Sequence, residues 1–361
     1  MFDARYLIVG QGLAGTVLAD VLLERGATLH IADLHLPGAA SRAAAGIWNP
    51  LTARTLQEAW RFSEFMPQAL RYYTRKCQQH HIKPPRSLPL LRPLPNRHSQ
   101  EHWNRTAETP GSSCLKSDAR PVEEWRNRLH IGAHYGWVNH AGHLDVAEFI
   151  AAARAGYIRD GILRECHFDT ASVEWMDSGL GLKWKGKTYE YLILARGHQE
   201  STEAWFGWLP FNLAQGELLL VTNETLQLPF ILQSGGFLLP TDTHQYLLGA
   251  TYEWEERSPE PTEKGMQQLH KIMEGLTPLR LQVENALAGI RPTVADRRPL
   301  LGEHPANPRL LVFNGLGTKG VSMAPALAQM LADHLQRGAE LPAEVDIRRF
   351  FGRYRRSTGG T

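Results

Sequence analysis

Cysteine is scarce in this chain: Cys77, Cys114 and Cys166 stand far apart among 361 residues, with no C-x-x-C spacing. That argues against a disulfide framework and a structural zinc site, and it fits a reducing, cytoplasmic setting. Charge of one sign is lacking too. The 39 basic side chains nearly balance 37 acidic ones, for a formal net charge of +2, so the whole-molecule field gives no reason to expect nucleic acid or another polyanion as partner. No stretch approaches the roughly 18 apolar residues that a spanning helix needs, so no membrane span is expected. The run Tyr6 to Val9 passes at once into a glycine turn, without the basic leader of a secretion signal. His80 and His81 have no acidic or cysteine companions at ligand spacing, and no metal site is expected.

What is present is a chain long enough for two domains, with 43% hydrophobic residues to build their cores. Arg5 to Val9 reads as a buried strand, Thr16 to Arg25 as a helix ended by Gly26, and Thr28 to Ala32 as a second buried strand with Asp33 at its end. Two strands joined by one helix make a parallel crossover. Prolines cluster between Lys83 and Pro110, predicting an irregular or edge-strand excursion. A helix resumes around Leu144 to Arg154, and Tyr191 to Ala195 is an apolar strand closed by Gly197. Glu217 to Thr222, Gly236 to Pro240 and Gln245 to Leu248 read as short strands of a second, mostly antiparallel sheet. Leu310 to Phe313 is a last buried strand, followed by Gly315, Gly317 and Gly320 and a helix from about Ser322 to Leu335.

Gly10-Gln11-Gly12-Leu13-Ala14-Gly15 matches G-x-G-x-x-G between the first strand and helix. The three glycines serve a tight turn, close approach of backbone to a pyrophosphate, and close helix packing, while the helix start offers unpaired N–H groups. Gly10, Gly12, Leu13, Ala14 and Gly15 are therefore expected dinucleotide contacts. Asp33, followed by Leu34, is placed to accept hydrogen bonds from ribose hydroxyls. This fingerprint serves NAD as readily as FAD. The next segment, GAASRAAAGIWNPLTAR from Gly38 to Arg54, is a run of small residues broken by Trp48. Such side chains let a broad flat ring lie against backbone, with Ala45 and Gly46 among the contacts, and Ser41 and Arg42 suit phosphate oxygens.

Four separated segments together resemble the D-amino-acid oxidase superfamily of flavoenzymes, which includes glycine and sarcosine oxidases. They are the fingerprint, the Ser41-to-Gly46 run, Gly289-Ile290-Arg291-Pro292 with Asp296 to Gly302, and Asn314 to Pro325. Weaker echoes are Gly136-Trp137, Gly142 to Asp145, Ala195-Arg196-Gly197, Gln215-Gly216-Glu217 and Gly249 to Glu253. The resemblance implies an α/β fold: a doubly wound, Rossmann-like FAD domain (1–85, 140–212 and 285–361) with a mainly antiparallel substrate domain (86–139 and 213–284). It also implies that Arg291 holds a substrate carboxylate at the edge of the cofactor, and that Ala195 and Gly197 contact the cofactor through backbone. Gly315, Gly317, Thr318, Lys319 and Gly320 would aim the last helix at the flavin, with Lys319 adding a positive charge. No cysteine lies near that loop, so the FAD is expected to be non-covalent. Trp48, Tyr252 and Trp254 are candidates to line the substrate cavity.

The function that follows is oxidation of an amine, a small amino acid or N-alkyl amino acid, by hydride transfer to flavin N5, the electrons passing on to oxygen or another acceptor. Two alternatives stand beside it. One is action on an amino-acid-like group of modified tRNA, and the other is a flavin-binding subunit that depends on a partner for catalysis.

Overall fold

Alternating burial along short apolar strands explains the architecture. The computed structural model describes residues 2–52, 55–109, 114–116, 122–176 and 179–357. In it the strand Ala4–Val9 lies inside an eight-stranded sheet, paired in parallel with Leu29–Asp33 and with Lys187–Leu194. Parallel pairing continues outward to Leu163–Glu165 and to Asn307–Asn314. Antiparallel strands Leu300–His304, Leu182–Trp184 and Glu174–Trp175 complete the sheet. Successive side chains point to opposite faces. Tyr6, Ile8, Ile31, Ile193 and Leu311 meet the helices Leu13–Glu24, Phe62–His80, Val146–Arg159 and Gly320–Arg337. Leu7, Val9, Leu192, Leu194 and Val312 meet a second layer that includes Phe168, Phe206 and Ile347.

A second eight-stranded sheet runs in the order Gln282–Arg291, Ala214–Thr222, Gln245–Gly249, Gly236–Asp242, Ile231–Ser234, Leu90–Pro93, Tyr135–Val138, Leu115–Lys116. All its pairings are antiparallel except that between Ile231–Ser234 and Leu90–Pro93. The helix Glu263–Leu276, capped by the Thr262 hydroxyl accepting from Gly265 N–H at 3.0 Å, covers one face. A small sheet of Ile47–Trp48, Gly142–His143 and Arg86–Ser87 joins the two halves. The α/β class and the second, largely antiparallel sheet both agree with expectation. Among the described residues no helix is long and apolar enough to cross a membrane.

Three departures from the sequence reading have physical reasons. The strand Gln282–Arg291 crosses the expected boundary at residue 285, because it pairs with Ala214–Thr222 along its whole length. The proline-rich excursion is more regular than predicted. Pro89 and Pro93 bracket a paired strand, and Asn96 opens a helix, Arg97–Ala107, through reciprocal bonds with Ser99. The nineteen-residue helix Phe62–His80 was not anticipated, although Phe62, Phe65, Met66, Ala69, Tyr72, Tyr73 and Cys77 form a buried stripe at helical spacing.

Candidate functional site

The first strand ends at Gly10, which takes φ +99°, and a Cβ there would lie 2.5 Å from the carbonyl oxygen of Ala195. At Gly15 a Cβ would lie 1.9 Å from the Gly10 oxygen, so only glycine lets the helix start this close to the strand. Gly12 precedes the helix without a side chain to cap it. Ser41 supplies the cap from a distant segment, its hydroxyl accepting from Leu13 N–H at 3.0 Å. The remaining first-turn N–H groups of this helix have no partner within it.

Asp33 is held from three sides. Oδ1 accepts from Gln11 N–H at 2.9 Å, and Oδ2 accepts from His35 N–H and from Arg154 Nη1, each at 2.8 Å. Arg154 is buried, and it also donates to Gln11 Oε1 at 3.1 Å and to Glu165 at 2.8 Å. Sequence reading placed a helix here and missed this residue. No local signal marks it, because its partner Asp33 lies 121 positions away and its helix also carries Arg159. Leu34 is exposed, and Arg42 donates to the carbonyl of Leu36, within its own turn.

The small-residue run has a packing partner. Ile290 N–H donates to the Gly38 carbonyl at 2.9 Å, and a Cβ on Gly289 would lie 3.0 Å from both Ala40 Cα and Ala43 Cβ. Small side chains on both segments thus let the run lie directly against the last strand of the second sheet. Ala45 borders the cluster beneath that sheet, and Gly46 accepts from Leu144 N–H at 3.1 Å. Trp48 is buried, packed over Gly142 with its indole N–H donating to the His140 carbonyl at 3.0 Å. It is a core residue that joins the two halves.

Ala195 N–H donates to the Val9 carbonyl at 2.7 Å, and the Gly197 carbonyl accepts from the Asn314 side chain at 2.9 Å. Asn314, not singled out as a contact, thereby ties this turn to the loop that precedes the last helix. Arg196 turns away, into a buried pair with Glu200 at 2.9 Å and a contact with Glu203 at 3.3 Å. In the loop, Gly315 and Gly317 take positive φ, and Thr318 is exposed. A Cβ on Gly320 would lie 3.2 Å from Leu13 Cδ2, so the N-termini of the first and last helices converge. Gly317 faces the Thr293 methyl at 3.2 Å by the same measure, and Thr293 follows Arg291 and Pro292. A continuous line of contacts therefore leads from the fingerprint to Arg291.

Two cations end that line. Lys319 is largely buried, and its ammonium donates to the carbonyls of Asn49 at 3.0 Å and Leu51 at 3.3 Å. Burial pulls its pKa down to about 8. Arg291 lies over Gly216, donates to the carbonyls of Gln215 and Thr251 at 3.3 Å each, and rests 4.4 Å from the centre of the Tyr252 ring. Among the described residues no carboxylate lies within ion-pair distance of it. Tyr252 and Trp254 are exposed beside it.

The family profile of the DAO family, FAD dependent oxidoreductase, matches residues 5–334. The chain belongs to this family. The family binds FAD, and the residues fit that cofactor, since Gly10 and Gly15 let the strand end, the Ala195 turn and the first helix pack backbone to backbone, and the N-termini of two helices converge beside them. The chain is 27% identical over 384 residues to the tRNA 5-methylaminomethyl-2-thiouridine biosynthesis bifunctional protein MnmC of Shewanella amazonensis, covering 91% of this chain and 56% of that protein. It is 29% identical over 126 residues to glycine oxidase of Bacillus licheniformis, covering 34% of each. The chain thus spans about half the length of the bifunctional relative. Among solved structures it resembles iminodiacetate oxidase from Chelativorans sp. BNC1, with TM-score 0.77, 20% identity and 96% and 98% of the two chains covered. Glycine oxidase from Geobacillus kaustophilus gives TM-score 0.77, 19% identity and 97% and 98% coverage.

Proposed function

We propose that this DAO-family oxidoreductase oxidises an amine that carries a carboxylate, a small amino acid or N-alkyl amino acid. The observation that carries the reading is Arg291, a largely buried guanidinium with two carbonyl acceptors and, among the described residues, no carboxylate within ion-pair distance, at the end of the contacts that start at the fingerprint. A desolvated cation of this kind favours an anionic ligand, and a guanidinium binds a carboxylate through two parallel hydrogen bonds. FAD, when bound, supplies a two-electron acceptor for the hydride that leaves the carbon next to nitrogen, giving an imine that water hydrolyses.

The other residues bind and position. Gly10 to Gly15, with Ser41 and Asp33, hold the ADP half without a covalent link, and Arg154 fixes the Asp33 carboxylate. The N-terminus of the helix Gly320–Arg337 stabilises negative charge on the cofactor ring. Lys319 holds the 49–51 segment across that helix start. Arg291 orients the substrate, so that the carbon to be oxidised is presented to the ring.

Anaerobic titration of the flavin spectrum with glycine, sarcosine, proline and D-amino acids, followed by admission of air, tests the reading and separates substrate from acceptor. Bleaching by at least one of them supports it; no bleaching by any sinks it and favours a subunit that needs a partner. A second reading, action on an amino-acid-like group of tRNA, is favoured by the bifunctional relative that covers 91% of the chain. Against it, Tyr252, whose ring lies 4.4 Å from the Arg291 guanidinium, is followed in the chain by Glu253, Glu255, Glu256, Glu260 and Glu263, a run of negative charge that repels RNA phosphates. Measuring tRNA binding across salt concentrations decides: a steep salt dependence would replace the first reading by the second.

A further inference from the structure

The second sheet carries, far from Arg291, a polar pair that the proposed reaction does not use. Along the strands Ile231–Ser234 and Leu90–Pro93, Leu232 and Leu91 join the core under the helix Glu263–Leu276, whereas Ile231 and Leu90 point the other way, into the cluster with Leu51, Leu239 and Trp103. Alternation puts Gln233 and Arg92 on that second face. The strands run parallel with Ile231 opposite Leu90 and Leu232 opposite Leu91, so the next step of the register sets Gln233 beside Arg92. Neither has a partner. Gln233 Oε1 is buried and accepts no hydrogen bond. Arg92 is half-buried, and among the described residues its guanidinium has no hydrogen-bond or ion-pair partner; burial alone acts on it and lowers its pKa. Apolar groups flank the pair on both sides. Arg92 pairs across the sheet with Gly136, where a Cβ would fall 2.2 Å from the Trp103 indole, and Gln233 pairs with Phe237.

A buried acceptor and a desolvated cation left unpaired side by side both cost free energy, and a ligand that satisfies the two at once recovers it. The guanidinium calls for one negative charge, best met by a carboxylate, and Oε1 calls for a hydrogen-bond donor close to that charge. We propose that Arg92 and Gln233 form a second binding site, separate from Arg291, for a small monoanionic carboxylate that carries a hydroxyl on the neighbouring carbon. The carboxylate pairs with the guanidinium, and the hydroxyl donates to Gln233 Oε1. The Arg291 guanidinium lies over Gly216, on a strand four places from that of Arg92. At the usual strand spacing that is about 19 Å, too far for one small molecule to bridge. The second site therefore stands whether or not Arg291 holds a substrate.

The test uses the FAD-loaded Arg291→Met protein, in which the other cation is silent, and equilibrium dialysis of glycolate and acetate. These anions have the same charge at neutral pH and differ by one hydroxyl. Glycolate should bind at one site per chain, roughly tenfold or more tightly than acetate, the size of one hydrogen bond to a buried acceptor. Adding Gln233→Leu should bring glycolate down to the affinity of acetate and leave acetate nearly unchanged. Adding Arg92→Met should weaken both anions by roughly tenfold or more. Melting temperatures without anion, close to that of the parent, establish that the variants are folded, and the comparison of the two anions on the parent needs no further variant. Absence of glycolate binding, equal affinity for glycolate and acetate, or a preference that survives both Gln233→Leu and Arg92→Met overturns the proposal. None of these results bears on the oxidation of an amine, which the flavin titration decides by itself.

Discussion

The two ends of the site are built from different materials. At the fingerprint, Gly10, Gly15 and Ala195 meet backbone to backbone, and distances of 1.9 and 2.5 Å to an added Cβ leave no freedom of side chain. Around Arg291 the opposite holds. A flexible cation, two exposed aromatic rings and an acidic stretch make the surface, with two long carbonyl bonds fixing the guanidinium. A site made of backbone suits an invariant ligand, which we propose here to be the ADP moiety of FAD; a site made of side chains can be altered residue by residue for a new substrate without disturbing the fold.

The sharpest way to break this contrast is to put one methyl group at each end. Gly15→Ala places a Cβ 1.9 Å from the Gly10 oxygen, which only movement of the first helix can relieve. We expect a loss of about 3 kcal/mol or more in stability together with loss of bound FAD, read by calorimetry and by flavin content. Retention of FAD at wild-type stability would mean that the helix start is not held as tightly as described. Arg291→Met should do the reverse, lowering kcat/KM by roughly 100-fold, about 3 kcal/mol of carboxylate binding, while FAD content and melting temperature stay nearly constant. Equal turnover in that variant would separate Arg291 from the substrate.

The same contrast decides what was legible in the sequence. G-x-G-x-x-G between strand and helix is visible because local steric demands restrict the residue at each position, and the strands around it are apolar runs. Ser41 is expected from sequence at phosphate oxygens, and the structure shows its hydroxyl capping the first helix at Leu13, a role that its distance in the chain hides. Arg154 and Asn314 were not. Their partners, Asp33 and Gly197, lie 121 and 117 positions away in the chain, and no periodicity records a pairing of that range. Trp48 was read as a cavity candidate because composition does not tell an aromatic in a pocket from one packed over a glycine, and Gly142 is brought beneath it only by the small sheet. The helix Phe62–His80 was overlooked because its polar residues hide a stripe that the burial pattern makes plain.

Arg154 offers a test of intermediate size within the rigid end. Arg154→Met leaves Asp33 with two backbone donors but without its counter-charge, in a place where the side chain is 18% exposed. Removing one partner of a buried pair is costly, and we expect about 2 kcal/mol of stability lost together with weaker FAD retention on dialysis. Asp33→Asn in the Arg154→Met background should recover part of the stability, because the uncompensated charge is gone. No recovery would mean that Arg154 acts through packing alone.

Lys319 lies where the two ends meet, and its effect should be the smallest and the most dependent on pH. Burial lowers its pKa to about 8, below its value in an unfolded chain, so between those two values the unfolded state binds more protons than the folded one. Stability therefore carries the full penalty of burying the charge below about pH 8 and regains it as pH rises toward 10. Lys319→Met lacks this titration but also loses the bonds to Asn49 and Leu51. The melting temperature of the wild-type protein relative to this variant should consequently rise between pH 7.5 and pH 10, by the equivalent of about 1 kcal/mol. A difference that stays flat would place the ammonium in contact with solvent and remove the lysine from the junction. A difference that falls with pH would mean that an anion holds the charged form, which the carbonyls of Asn49 and Leu51 do not.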